Sequence, residues 1–475
     1  MKQKIDLKEP LLKEIGLMAD WRNIQAYVVG GYVRDKLLGR PVKDIDIVVV
    51  GDGVAFAREV AASWKRDNLV IYETFGTAML PVDDYKIEFV GARKESYSKK
   101  SRKPRVEGGT LEDDLRRRDF TINAMAASLN AKERGAVTDP FHGRQDLQKK
   151  ILRTPLDPQE TFDDDPLRIL RAIRFASQLK FSIQPDVLKA AGEMARRLEI
   201  VSQERITDEL LKIMESPSPS VGLKLMFETG IVGIVFPELA DLSGVEQREE
   251  YHHKDVFFHT LKVVDNVART SDNLWLRMAA LLHDIAKPRT KAFKENIGWT
   301  FHGHEEAGAR MVKPIFRRMK LPFEHIPYVE KLVRLHLRPM ALVDQGVTDS
   351  AVRRLMFEAG EKIDDLMMLC RADITSKNPK LVEQVKKNYD LVMKKMGDVE
   401  EKDRWRKWQP PLRGDEIMKI CRIQAGPLVG ELKQRITDAI VDGVIPYDHD
   451  AALAFLLQIK DNILKKVLTE SKEVR

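Results

Sequence analysis

The sequence predicts an α+β chain, with an N-terminal mixed α/β domain followed by an all-helical remainder. Three observations predict it. Between about residues 26 and 150, short β-branched runs (IDIVVVG, NLVIYETFG, TAMLPV, KIEFVG) alternate with helical pieces. From about residue 160 onward strand signals nearly vanish, and DPLRILRAIRFASQL, ITDELLKIM and PSVGLKLMFETG carry apolar residues at helical spacing. The 475 residues, 43% hydrophobic and 32% charged, exceed what one core can organise, while their composition is ordinary for globular domains.

Taken in order, residues 1 to about 25 read as an amphipathic helix, and the strand-rich segment follows. SPSPS at 216–220 is a turn within the helical part, and FPELADLSGVEQREEYHH reads as a connector. The stretch 386–407 is rich in lysine and arginine, and after WQPPLRG a last helical unit runs to the end. These breaks divide the chain into 1–150, 151–240, 245–385 and 386–475. Lys+Arg exceeds Asp+Glu by 80 to 73, a net charge of +7, which allows a polyanionic partner without demanding one. Two cysteines, Cys370 and Cys421, exclude a disulfide framework or a cysteine-rich zinc site and fit a reducing compartment. The charged opening MKQKIDLKEPLLKEIG is unlike a secretory leader, and no apolar run approaches the roughly 18 residues of a membrane span. A cytoplasmic protein with no membrane partner is expected. Nothing in the sequence fixes an oligomeric state.

The chemistry begins at VVGGYVRDKLLGRPVKDIDIVVVG, residues 28–51. Side chains alternate along a strand, so Asp44 and Asp46 share a face about 7 Å apart. Two such carboxylates repel unless a cation lies between them, and magnesium suits hard oxygen ligands that leave room for phosphate. Gly30 and Gly31, lacking Cβ atoms, let backbone approach a phosphate closely, and Arg34 supplies positive charge to it. Glu88, in the strand-like run KIEFVG, is a candidate third carboxylate.

This stretch closely resembles the head-domain signature of the class II nucleotidyltransferases, the CCA-adding tRNA nucleotidyltransferases and bacterial poly(A) polymerases. The resemblance continues at LRRRDFTINAMA (115–126), DDPLRILRAIRFA (164–176) and SQERITDELLKIM (202–214). It implies a nucleotidyltransferase head followed by a helical neck. Arg118 and Asp119 match family residues that touch triphosphate and ribose, with Asn123 one turn later in support. Asp165 and Arg168 match the pair that reads the incoming base. Three residues apart on a helix, they would share a face. Asp offers only acceptors and Arg only donors, so together they suit the amino-donor and ring-nitrogen-acceptor edge that cytosine and adenine share and guanine and uracil reverse. Arg171 and Arg174 resemble nucleotide-contacting arginines. One departure is Asp164, where the family usually has glutamate. The basic run SKKSRKPR (98–105) falls where the family has a mobile loop that helps pass from C to A addition.

A second constellation gathers six of the ten histidines between 252 and 304. LRMAALLHDIAKP places His283 and Asp284 at the end of an apolar helical run, where an unpaired charge is costly and a bound metal is the natural compensation. Imidazole plus carboxylate suits manganese, iron or nickel, with magnesium as an alternative. The order of His259 in HHKDVFFHTL, His283-Asp284 and Asp373 in LMMLCRADITS resembles the HD superfamily of metal-dependent phosphohydrolases. His304 in FHGHEEAG and His336 in VRLHLRP match positions that support a second metal in some members.

The resemblances imply template-independent addition of C, C and A to tRNA from CTP and ATP, with Asp44 and Asp46 holding magnesium and basic helices gripping the acceptor arm and 3′ end. Poly(A) polymerases and enzymes that add only part of the CCA end share the same head signature. A reading of another class is an HD phosphohydrolase whose head only binds nucleotide, and a third is a non-catalytic RNA-binding protein.

Overall fold

The computed structural model describes residues 4–73, 76–98, 101–249, 252–295, 298–344, 348–376, 378–403 and 411–473. The run SKKSRKPR lies outside the residues whose side chains are described, and the basic stretch 386–407 falls partly outside them. The chain forms two compact units, residues 1–240 and 241–475.

In the first unit, α1 (Pro10–Trp21) precedes β1 (Ala26–Val29), α2 (Gly31–Leu37), β2 (Asp44–Val49), α3 (Gly53–Ser63), β3 (Val70–Tyr72), β4 (Thr77–Val82) and β5 (Tyr85–Gly91). A hairpin, β6 (Arg93–Ser98) and β7 (Ser101–Gly108), leads to α4 (Leu111–Arg116), then β8 (Ala126–Ser128) and β9 (Val137–Thr138). Seven of these strands form one sheet in the order β3-β4-β5-β2-β1-β8-β9, mixed because β2 and β5 run parallel. Strand alternation in β2 sends Ile45, Ile47 and Val49 into the main core with Phe56 and Phe89. Val48 lies on the opposite face in a smaller cluster with Val29, Val90 and Ala126. Asp44 and Asp46 share the Val48 face, at the end of β2 that this smaller cluster leaves uncovered. Asp52 caps α3 by accepting from the amides of Val54 and Ala55, and a Thr110/Asp113 capping box opens α4.

The helical part of this unit contains α5 (Gly143–Lys149), α6 (Pro158–Asp164), α7 (Leu167–Leu179), α8 (Pro185–Glu193), α9 (Gln203–Met214) and α10 (Pro219–Glu228). The SPSPS turn doubles as a helix start, with Pro219 in the first turn of α10. Asp165 is not on a helix with Arg168, as the spacing suggested. It is extended, at φ −140° and ψ 101°, between α6 and α7. Pro166 is the cause, since a residue before proline is driven out of the α region. Asp165 instead accepts from the Leu167 amide at 3.2 Å, as a cap for α7.

The second unit is helical around a bundle of Val256–Ala268, Leu274–Leu282, His304–Arg318, Ile326–Leu335 and Ile363–Asp373. Helices Pro379–Asp403, Gly414–Cys421, Pro427–Val441 and His449–Glu473 follow. The expectation of an all-helical remainder misses two short antiparallel hairpins, Glu246–Glu249 with His252–Asp255 and Ala292–Lys294 with Gly298–Thr300, and, in the first unit, the two-residue strand Ser182–Ile183, which pairs in parallel with Ile151–Leu152. Strands of two to four residues are too short to announce themselves by apolar alternation. Among the described residues, no helix is long and apolar enough to cross a membrane.

Candidate functional site

The first site is a cavity of about 510 Å³ in the N-terminal unit, with Asp44 and Asp46 on one wall. Asp46 is in register with Val29 on β1 and with Glu88 on β5. Its carboxyl is pushed above the usual range, first by burial and then by Asp44, against the pull of Arg118. Glu88 is raised as well, by desolvation and by Asp46. Glu88 therefore neighbours Asp46 on the same face, yet it is not among the residues lining the cavity.

The two glycines differ in what they do. Gly30 has φ +65°, and a Cβ there would meet the Arg118 guanidinium at 2.7 Å and Asp46 Oδ2 at 3.5 Å. Its amide donates to the Met125 carbonyl at 3.2 Å, so it is not free for a phosphate as expected. Gly31 would tolerate a Cβ, since Arg34 Nη2 at 3.6 Å is an ordinary contact. The amides on this side that lack an intrahelical partner are those of the first turn of α2.

Facing the acids is a wall of arginines, most of them held by carboxylates. Buried Asp114 accepts from Arg117 at 2.5 Å and from Arg118 at 3.0 Å. Buried Asp119 accepts from Arg171 at 2.6 and 2.8 Å, from Asn123 at 3.0 Å and from the Phe120 amide at 2.8 Å. Burial alone would raise the Asp119 pKa, but Arg171 and Asn123 hold it down at about 2. Asn123 accepts in turn from Arg34 Nη1 at 2.8 Å. Arg174 donates to buried Glu209 at 2.5 Å. The Phe175 ring lies beneath three of these cations, with the guanidinium carbons of Arg174, Arg34 and Arg171 at 4.1, 5.1 and 5.6 Å from its centre.

Asp165 and Arg168 line the same cavity. Arg168 donates from Nη2 to the Arg117 carbonyl at 2.6 Å and from Nη1 to the Thr161 carbonyl at 3.2 Å, leaving other N–H groups of its five. Asp165 accepts from Arg205 of α9 at 2.9 Å. Sequence reasoning missed Arg205, Arg117, Phe175, Asp114 and Glu209. All five lie within or beside the quoted motifs; Arg205 and Glu209 have their partners on other elements, whereas Asp114 with Arg117, and Phe175 with Arg171 and Arg174, pair locally.

The second site is a cavity of about 680 Å³ in the second unit. Around it gather all six residues singled out in the sequence, five lining the cavity and His283 clustered with them, in two sets: His259, His283 and Asp373, and Asp284, His304 and His336. Asp284 joins the sets, with Oδ2 3.2 Å from His283 Nε2 and Oδ1 3.3 Å from His304 Nε2. His259 Nε2 is 2.9 Å from Asp373. Every imidazole is anchored through Nδ1, in His283 to the Ala280 carbonyl, in His304 to that of Phe301, in His336 to that of Val333 and in His259 to the Thr375 hydroxyl, at 2.6 to 2.8 Å. The carbonyl partners fix the tautomer of His283, His304 and His336 and turn Nε2 inward, as ligating histidines require, while Thr375 orients the His259 ring.

The site fits a divalent cation on its own evidence. His283 Nε2, Asp284 Oδ1, His304 Nε2 and His336 Nε2 are buried without a hydrogen-bond partner. Burial disfavours a charged His283, yet Asp284 and Asp373 raise it to about 10. Burial and the His283 charge push His336 down to about 4. Two buried acids are thus balanced by a proton where a metal ion would serve all the orphaned atoms. Lys287, also missed in the sequence, donates to Asp284 Oδ2 at 2.7 Å.

Comparison with known proteins gives a consistent pattern. Residues 26–153 match the poly A polymerase head domain, 180–242 the probable RNA and SrmB-binding site of polymerase A, and 256–378 the HD domain. The chain is 32% identical to the A-adding tRNA nucleotidyltransferase of Deinococcus radiodurans over 90% of this chain and 94% of that one. It is 34% identical to the multifunctional CCA protein of Acidovorax ebreus over 74% and 82%. A solved CCA-adding enzyme is 25% identical with a TM-score of 0.64, covering 96% of both chains. A tRNA nucleotidyltransferase solved with a primer tRNA and an incoming ATP analog is 26% identical with a TM-score of 0.58, covering 80% of this chain and 98% of that one.

Proposed function

The chain belongs to the class II nucleotidyltransferase family, with an HD domain, and from that premise we propose that it adds C, C and A without a template to the 3′ end of tRNA, using CTP and ATP. The observation that carries this reading is the cavity in which the Asp44–Asp46 pair faces an arginine wall beside Asp165 and Arg168. Arg34, Arg118, Arg171 and Arg174 bind and orient the triphosphate. Asp119 and Asn123 keep Arg171 and Arg34 in place and meet the ribose. Asp165 and Arg168 select the amino-donor edge common to cytosine and adenine, a wrong edge costing on the order of 1–3 kcal/mol per mispaired group. Asp44 and Asp46 would hold one or two magnesium ions, whose chemistry there would be activation of the RNA 3′-hydroxyl and charge neutralisation on pyrophosphate. Positioning and electrostatics account for the remaining rate enhancement.

The division into a head (1–150), a neck (151–240), an HD domain (245–385) and a helical RNA-binding region (386–475) belongs to the same proposal, as does a cytoplasmic site of action. The HD cluster is read as a phosphohydrolase centre holding manganese, iron, nickel or magnesium. A second reading, addition of A alone, is favoured by the A-adding relative, which matches more of the chain than the multifunctional CCA protein does. One experiment separates them. Purified protein receives magnesium, CTP, ATP and tRNA lacking its 3′ end, or tRNA already ending in C-C. Growth of the shorter tRNA to C-C-A supports the first reading, and extension of the C-C tRNA alone supports the second. Long A tracts point to a poly(A) polymerase, and no extension of either overturns both.

A further inference from the structure

The hairpin Ala292–Lys294/Gly298–Thr300 holds a feature that neither reaction uses. Phe293 and Trp299 are directly paired across it, so both side chains emerge on one face. They remain 64% and 46% exposed, with ring centres 5.3 Å apart. A cross-strand aromatic pair steadies a hairpin by itself, but that leaves the surrounding charge unexplained. Lys291 Nζ lies 4.5 Å from the Trp299 ring centre. Lys294 and Arg289 are exposed in the adjoining KPRTKAFK, a run without an acid of its own that is followed by the exposed Glu295. Neither has a carboxylate partner among the described residues. The next residues along the strand, Thr300 and Phe301, line the histidine–aspartate cavity.

We propose that Phe293 and Trp299, with Lys291, Lys294 and Arg289, form a stacking platform for the bases of an unpaired RNA strand leading into the HD cavity. Flat faces interleaved with unpaired cations match the two repeating parts of such a strand, its bases and its phosphates. A duplex hides its base faces, and a free nucleotide occupies only one ring. The platform rests on the reading that this chain handles RNA ends, and it specifies the form in which the HD centre receives them.

The test measures binding, so that a missing hydrolytic activity would count against the phosphohydrolase reading alone. Fluorescence anisotropy follows a labelled ten-residue oligoadenylate titrated with the full chain, with inorganic polyphosphate as a base-free polyanion. The Phe293→Ala/Trp299→Ala double variant is expected to bind the oligonucleotide about tenfold more weakly, the scale of one lost base–aromatic contact. Polyphosphate affinity is expected to stay unchanged, and Trp299→Phe to retain most oligonucleotide binding. Undiminished oligonucleotide binding by the double variant overturns the proposal. So does an equal loss for polyphosphate, which marks a merely electrostatic surface. Melting curves verify that the variants fold, as the exposure of both side chains leads one to expect.

Discussion

The two sites solve the problem of buried charge in opposite ways. In the N-terminal unit nearly every arginine of the cavity has a carboxylate partner: Asp114 for Arg117 and Arg118, Asp119 for Arg171, Glu209 for Arg174, Asp35 for Arg34 and Asp165 for Arg205, while Arg168 is held by carbonyls. That wall is largely neutralised by the protein itself, whereas Asp44 and Asp46 have no ion-pair partner among the described residues. In the histidine–aspartate cluster of the second unit, four buried ligand atoms have no hydrogen-bond partner among the described residues. The difference teaches that a site whose charges are internally paired can wait for a metal that arrives with its substrate. A site built from orphaned imidazoles needs its metal as part of the fold.

The sharpest way to break this comparison is Asp46→Ala. Removing a ligand worth several kcal/mol of transition-state stabilisation is expected to lower nucleotide incorporation on the order of a thousandfold. Metal content at the histidine cluster should not change. A variant that loses both would show that the two sites are not independent. Next comes retention. After gel filtration without free metal, elemental analysis should find a transition ion on the wild-type chain and little on His283→Ala, and magnesium should restore full incorporation to both. A chain that emerges metal-free at the histidines would erase the proposed contrast.

Base selection gives a smaller effect. Asp165→Ala is expected to cost roughly tenfold to a hundredfold in discrimination of CTP over UTP, following the 1–3 kcal/mol of one mispaired group. Arg205→Ala acts through Asp165 and should shift the same ratio by about fivefold or less, since this pair is partly exposed and screened.

The smallest effect is on acid stability. The folded Asp119 pKa of about 2 lies below its ordinary value of 3.8. Its contribution is therefore complete above pH 4 and is lost as pH falls from there through about 2. Acid unfolding followed by fluorescence should show Asp119→Asn less stable than wild type by about 2 kcal/mol at neutral pH, and nearly equal to it at pH 2.

Much of both sites was legible because it was local. A period of two placed Asp44 and Asp46 together whatever the rest of the chain did. The HD residues were legible as an ordered set, though their sorting was not. Adjacent in sequence, His283 and Asp284 fall into different ligand sets, because neighbouring side chains at a helix end point in different directions. The Asp165–Arg168 spacing was read as one helix, when Pro166 in the same motif already forbade it. Gly31 was credited with a necessity that belongs to Gly30 alone. Arg205 and Glu209 escaped notice because their partners sit on α7 or just before it, and no local pattern in α9 encodes a tertiary ion pair.

The Phe175 ring has a consequence for how the N-terminal site meets its nucleotide. An apolar disc under three guanidinium groups keeps them close, and each also has a carboxylate partner, Asp35 for Arg34, Asp119 for Arg171 and Glu209 for Arg174. Under the proposed function the arriving triphosphate would meet a wall already set in place, and any polyanion of the right length, pyrophosphate included, would compete for it before base identity is consulted.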